Sequence, residues 1–144
     1  MKDHRYPQIW ALFLALLVLA PSLPDLYAQH SEEAGPDIQI TEVPPARPGN
    51  PDEMYPISGK VTAAPSDAKV VIYTYAGDRW WVQPFDYAPL TDVKGGKFET
   101  ETHPGSIYAA LLVKPTYKPA ARLMALPDKG GDVLARHRVA GKRD

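Results

Sequence analysis

The sequence predicts an all-β domain, an immunoglobulin-like antiparallel β-sandwich of about seven to eight strands, preceded by a cleaved signal peptide. Three observations predict it. Apolar and polar residues alternate in short runs between residues 37 and 140. Turn-forming Gly, Pro, Asn and Asp punctuate those runs every eight to twelve residues or so, and no long stretch carries a 3.6-residue period. Each short strand buries one face, and two facing layers cover those faces. A closed barrel would show longer alternation and fewer prolines than the 16 in this chain.

Lys2 and Arg5 precede an unbroken apolar run, IWALFLALLVLA, that stops at Pro21. About a dozen residues fall short of the roughly 20 needed to cross a bilayer, but they match the hydrophobic region of an export signal. Ala28, in LYAQ, supplies the small residue at a cleavage point. Residues 1–28 are therefore expected to be a signal peptide, with a secreted or periplasmic product and no membrane span after its removal. Leu26 departs from a clean A-x-A cleavage pattern, so an uncleaved anchor is the alternative. Cleavage removes Lys2 and Arg5 together with Asp3 and Asp25, which leaves the formal charge of −1 unchanged. A chain with neither basic excess nor a basic cluster has little with which to displace counterions from phosphate, so no nucleic-acid partner is expected. Arg136, Arg138, Lys142 and Arg143 read as a solvated C-terminal group. Cysteine is absent, so stability must come from a packed core, and the remaining length of about 115 residues suits a single domain.

Residues 29–36, small and acidic without periodicity, read as a linker, residues 37–140 as the domain and residues 141–144 as a tail. DIQITEV places Ile38, Ile40 and by parity Glu42 on one face of a first strand, with Gln39, Thr41 and Val43 on the other. PPARPGNPDEMYP follows as a long extended connection, because its prolines lack N–H donors. ISGKVTA is the next strand. AKVVIYTYAG is the strongest strand signal, with Val70 to Tyr75 all β-branched or aromatic, as suits a strand covered on both faces. Ala76, Gly77 and Asp78 turn the chain into RWWVQ, which Pro84 stops. Gly95-Gly96 accepts the positive φ angles of a tight hairpin, whose arms are expected at 90–94 and 97–103. SIYAALLVKP is a near-continuous apolar strand and DVLARHRVA the last one; between them, TYKPAARLMALPDKGG reads as irregular or as having one short helical turn around 121–125.

KVVIYTYAGDRWWVQPF, GGKFETETHPGSIYAALLVKPTYKP and GGDVLARHRV resemble an Ig-like β-sandwich module of bacterial exported proteins, often an accessory domain beside extracellular enzymes or sensors. The resemblance covers about residues 37–139. It implies a fold and an extracytoplasmic setting, and it carries no catalytic residue. No attached enzyme is expected here, which departs from the accessory arrangement and counts against that role.

Neighbours on a strand point to opposite faces, so Trp80 and Trp81 are expected to divide, one in the core and one outside. Exposed aromatic faces stack on the apolar C–H surface of sugar rings. Tyr73, Tyr75, Phe85 and Tyr87 are near enough in sequence to extend such a platform, and Asp78 and Arg79 could add polar contacts from the turn. The competing reading makes the indole a sandwich-core anchor and the turn a solvated one. Glu99, Glu101 and His103 share a face by the two-residue period, with the carboxylates about 7 Å apart. That spacing suits an inverting glycosidase or a divalent ion, although a half-solvated strand needs charge on its outer side in any case. No nucleophile elbow, P-loop, zinc-protease or dinucleotide motif occurs. The expectation is a non-catalytic recognition domain for carbohydrate or an envelope protein, with no cofactor and no metal. A structural component pairing by sheet edges, and a small hydrolase or metal-binding protein using Glu99, Glu101 and His103, are the alternatives.

Overall fold

In the computed structural model, which describes residues 34–143, β1 (Asp37–Glu42) pairs antiparallel with β2 (Tyr55–Thr62), and β2 with a later strand, β6 (Lys97–Thr102). These three make the smaller sheet. The larger one is built on β3 (Lys69–Ala76), flanked by β4 (Arg79–Gln83) and β7 (Ile107–Val113). Short β5 (Thr91–Asp92) also pairs with β3, β8 (Arg122–Leu123) extends the sheet beyond β4, and β9 (Val133–Ala140) extends it beyond β7. All these pairings are antiparallel, and no helix occurs among the described residues. The expected signal peptide, most of the expected linker and Asp144 lie outside the described residues.

The sheets pack face to face because their alternation agrees. Ile38, Ile40, Ile57, Val61 and Phe98 from the small sheet meet Val70, Ile72, Tyr108, Ala110 and Leu112 from the large one in a single buried cluster. The opposite face of the large sheet is buried too. Val71, Tyr73, Trp80, Val82, Leu111 and Val113 form a second cluster, against which Tyr117, Leu123 and Leu126 of the β7–β9 connection pack. Tyr73 fastens that cover, its hydroxyl donating to Ala120 O at 2.8 Å. A sheet covered on both sides leaves β3 and β7 no solvated face, which explains their unbroken apolar sequences.

Several local features differ from the sequence expectation. Among the described residues there are nine strands rather than seven or eight, because β8 occupies the stretch expected to be irregular or helical around 121–125. Pro119 and Pro127 bracket that stretch, and Val82 N donates to Ala121 O at 3.0 Å as the chain passes β4. The Gly95-Gly96 turn forms with both φ angles positive, 57° and 70°, but its arms diverge into different sheets. Thr91 and Asp92 are drawn to β3, where Asp92 pairs with Lys69, whereas β6 stays with β2. An irregularity in the register between Ile40 and Glu42 reverses parity at the end of β1. Val43 thus packs on the core, and Glu42 is exposed, accepting the Ser58 hydroxyl at 2.9 Å.

The proline-rich connection doubles back as a strap. Ala46 N donates to Lys142 O at 2.7 Å, Lys142 N to Pro44 O at 2.9 Å and Arg47 N to Gly105 O at 3.0 Å. Pro45 and Ala46 thereby run parallel to the chain after β9 and before β7. Gly141 and Lys142, expected in a tail, are held by backbone hydrogen bonds.

Candidate functional site

The two sheets stop matching at β4. Border strand β6 packs over β3, so β4 lies beyond the small sheet's edge and one of its faces has no strand above it. Trp81, opposite Thr74 in the register, stands on that face and is 41% exposed. Trp80 points to the other side and is 4% exposed. Strand alternation produces the division, and the unequal strand number of the two sheets decides which indole stays open.

Trp81 is fixed as well as open, since its Nε1–H donates to Ala76 O at 3.1 Å. With the polar edge of the indole engaged, what remains to offer a partner is ring face. Around it, Gly49–Pro51 of the connector, Pro84 and Phe85 after a cis Gln83–Pro84 bond, and His103–Pro104 at the end of β6 enclose a groove of ≈ 490 Å³. Gly49 is needed there, because a Cβ on it would lie 2.8 Å from the Ala76 Cβ. Phe85 supplies a second aromatic surface and carries Tyr87 stacked on it, centroids 5.0 Å apart and planes within 3°.

Buried Gln83 organises the polar side of the groove. Its Oε1 accepts both the backbone N–H and Nδ1 of His103 at 2.9 Å, while its Nε2 donates to Trp81 O at 3.3 Å. Because the amide oxygen can only accept, His103 Nδ1 carries the proton, and Nε2 of the neutral ring is left as an acceptor. The imidazole also meets Phe85 edge-on at 5.9 Å. Asn50 uses its Oδ1 to accept Asp52 N at 2.9 Å, leaving its amide N–H groups for a ligand. Asp86 also lines the groove. Its carboxylate is acceptor-only when ionised. Two aromatic surfaces beside a few convergent donors and acceptors suit a molecule with apolar faces and hydroxyl edges.

Of the residues singled out from the sequence, Trp81, Phe85 and His103 belong to this groove. Tyr73 is fully buried on the opposite face, and Trp80 is buried there with half-buried Tyr75 tilted 59° against it at 5.1 Å. Tyr73 and Tyr75 share Trp80's side by register, so they extend no platform with Trp81. Asp78 and Arg79 pair with each other at 3.4 Å in the exposed β3–β4 turn and are not among the groove's lining residues. Glu99 and Glu101 remain exposed on β6, whereas His103 has left the strand for Gln83. Among the described residues no group of three or more His, Asp or Glu side chains is arranged to hold a metal ion. Sequence reasoning missed Gln83, Asn50 and Asp86, which sit at a strand end or in turns where no pattern distinguishes them. No family model, curated protein or solved structure matches this chain.

Proposed function

We propose that this chain is a non-catalytic recognition domain, secreted or periplasmic, that binds carbohydrate in the groove under Trp81. The observation that carries the reading is the Trp81 indole, open on its face and immobilised at its edge, beside Phe85 and the hydroxyl partners Asp86, Asn50 and His103. A plate held in place before the ligand arrives loses little conformational freedom on binding.

An immunoglobulin-like assignment is supported by strand order. Taking β1, β2, β3, β6, β7 and β9 as strands A, B, C, E, F and G, the sheets read A-B-E and C-F-G, the pairing of that architecture without its D strand. Assembly through sheet edges has less in its favour. β8 is two residues long, and border strand β6 carries Lys97, Glu99 and Glu101, charges that discourage strand addition.

The test is a glycan-array screen of the chain followed by titration of the best glycan. Trp81→Ala is expected to lower affinity about tenfold or more, since an aromatic contact is worth about 1 kcal/mol beyond the area it covers. A folded Trp81→Ala variant that binds as tightly as the parent, or a parent that retains no glycan, would overturn the proposal.

A further inference from the structure

A second cleft, of ≈ 650 Å³, lies on the opposite side of the large sheet. Trp80 and Tyr75 form part of its wall, with Met124 and Leu126 of the β7–β9 connection along it. From β9 come Arg136 and Arg138, two positions apart and so on one face, with His137 between them.

The two arginines differ in what they touch. Arg136 donates to Pro127 O at 2.9 Å and pairs with the Asp128 carboxylate at 3.2 Å. Arg138 lies with its guanidinium carbon 5.4 Å from the centre of the Trp80 ring and has no carboxylate or carbonyl partner among the described residues. An aromatic face steadies a guanidinium without occupying its N–H groups, so the five donors of Arg138 remain available in a fixed fork. His137, between them in sequence, turns its ring to the other face of β9, where its Nδ1 accepts the Ile40 N–H of the small sheet at 3.0 Å, so the cleft's donors come from the arginines. Asp128, the one carboxylate lining the cleft, is engaged by Arg136.

From this arrangement we infer that the cleft over Trp80 is an anion site, taking a carboxylate-bearing organic ligand whose charge is gripped by Arg138. Arg138 receives the two oxygens in the parallel geometry a guanidinium prefers. The ligand's apolar body lies against Met124 and Leu126. The site is separate from the Trp81 groove in both position and sign, since that groove holds an Asp86 carboxylate and no arginine or lysine.

The experiment is a titration of the full chain, at low salt, with acetate, benzoate and glucuronate, and with glucose as a neutral control, followed through the Trp80 indole N–H resonance. At least one of the three carboxylates is expected to give a saturable shift that glucose does not. Arg138→Gln should lower that affinity at least tenfold and Arg138→Lys should lower it less, while Trp81→Ala should leave it unchanged. Linear, non-saturating shifts with all three carboxylates, an equal response to glucose, or unaltered affinity in both Arg138 variants would overturn the inference. Loss of carboxylate binding in Trp81→Ala would overturn the separation of the two sites. The glycan result for Trp81 does not depend on any of these outcomes.

Discussion

Thr74 and Thr102 meet in the core as a hydroxyl pair 2.6 Å apart, one from each sheet. Thr102 also donates to His103 O at 3.0 Å, so the shared proton of the pair comes from Thr74. Replacing Thr102 with Val keeps the shape and removes the acceptor, which leaves the Thr74 hydroxyl buried without a partner. The expected cost is about 1–3 kcal/mol, read as a lower denaturant midpoint with unchanged slope, and part of it should return in the double variant with Thr74→Val. A single variant as stable as the parent would show that the pair contributes nothing. The opposition of Trp80 and Trp81 was legible from two-residue alternation alone. Which indole is open was not, because that depends on β6 ending the small sheet over β3, a property of residues far away in sequence. Tyr73 and Tyr75, close to Trp81 in the chain, lie on the other side of the sheet because the β3–β4 register sets Thr74 opposite Trp81.

At the level of the strands, β2 depends on having no side chain at Gly59. A Cβ there would come within 2.0 Å of Gln39 O and 2.5 Å of the Phe98 ring, so β1 and β6 would both have to move. Gly59→Ala is expected to destabilise the chain by about 3 kcal/mol or more, the range of severe overpacking, with a correspondingly lower thermal midpoint. An unchanged midpoint would mean that the small sheet yields freely. The principal strands were legible to within a few residues because each has a buried face, and alternation records burial. β5 and β8 were not. Two residues carry no period, and both are placed by the border that β3 or β4 offers them rather than by their own sequence. The split fate of the Gly95-Gly96 arms is the same effect, since a turn specifies its φ angles and not the sheet that each arm joins.

For the whole molecule, burial of phenols sets a limit at high pH. Desolvation pushes the ionisations of Tyr73, Tyr108 and Tyr117 above the usual phenol range, with Tyr117 adding to the effect at Tyr73 and a backbone hydrogen bond from Gly105 partly opposing it at Tyr108. In the unfolded chain these groups lose their protons near pH ~10. Below that pH both states are protonated and the stability is fully present. Above it the folded state holds more protons than the unfolded one, and stability falls with rising pH, by up to about 1.4 kcal/mol per unit through Tyr73 and by less through the partly solvated Tyr117. Urea midpoints should therefore be level up to about pH 9 and drop steeply beyond about pH 10, less so in Tyr73→Phe. A flat profile, or one that Tyr73→Phe leaves unaltered, would remove buried phenols as the cause.

The strap at residues 44–47 has a consequence for the order in which the molecule can be completed. Its hydrogen-bond partners are Gly105 and Lys142, so the strap cannot close until residues about 60 and about 95 positions further along the chain have been brought to it. Such distant partners make for slow, late closure, because the intervening chain must be brought together before the contact returns anything. A nascent copy can pair β1 with β2 and β3 with β4 early, but the strap itself stays unfastened until residue 142 has been made.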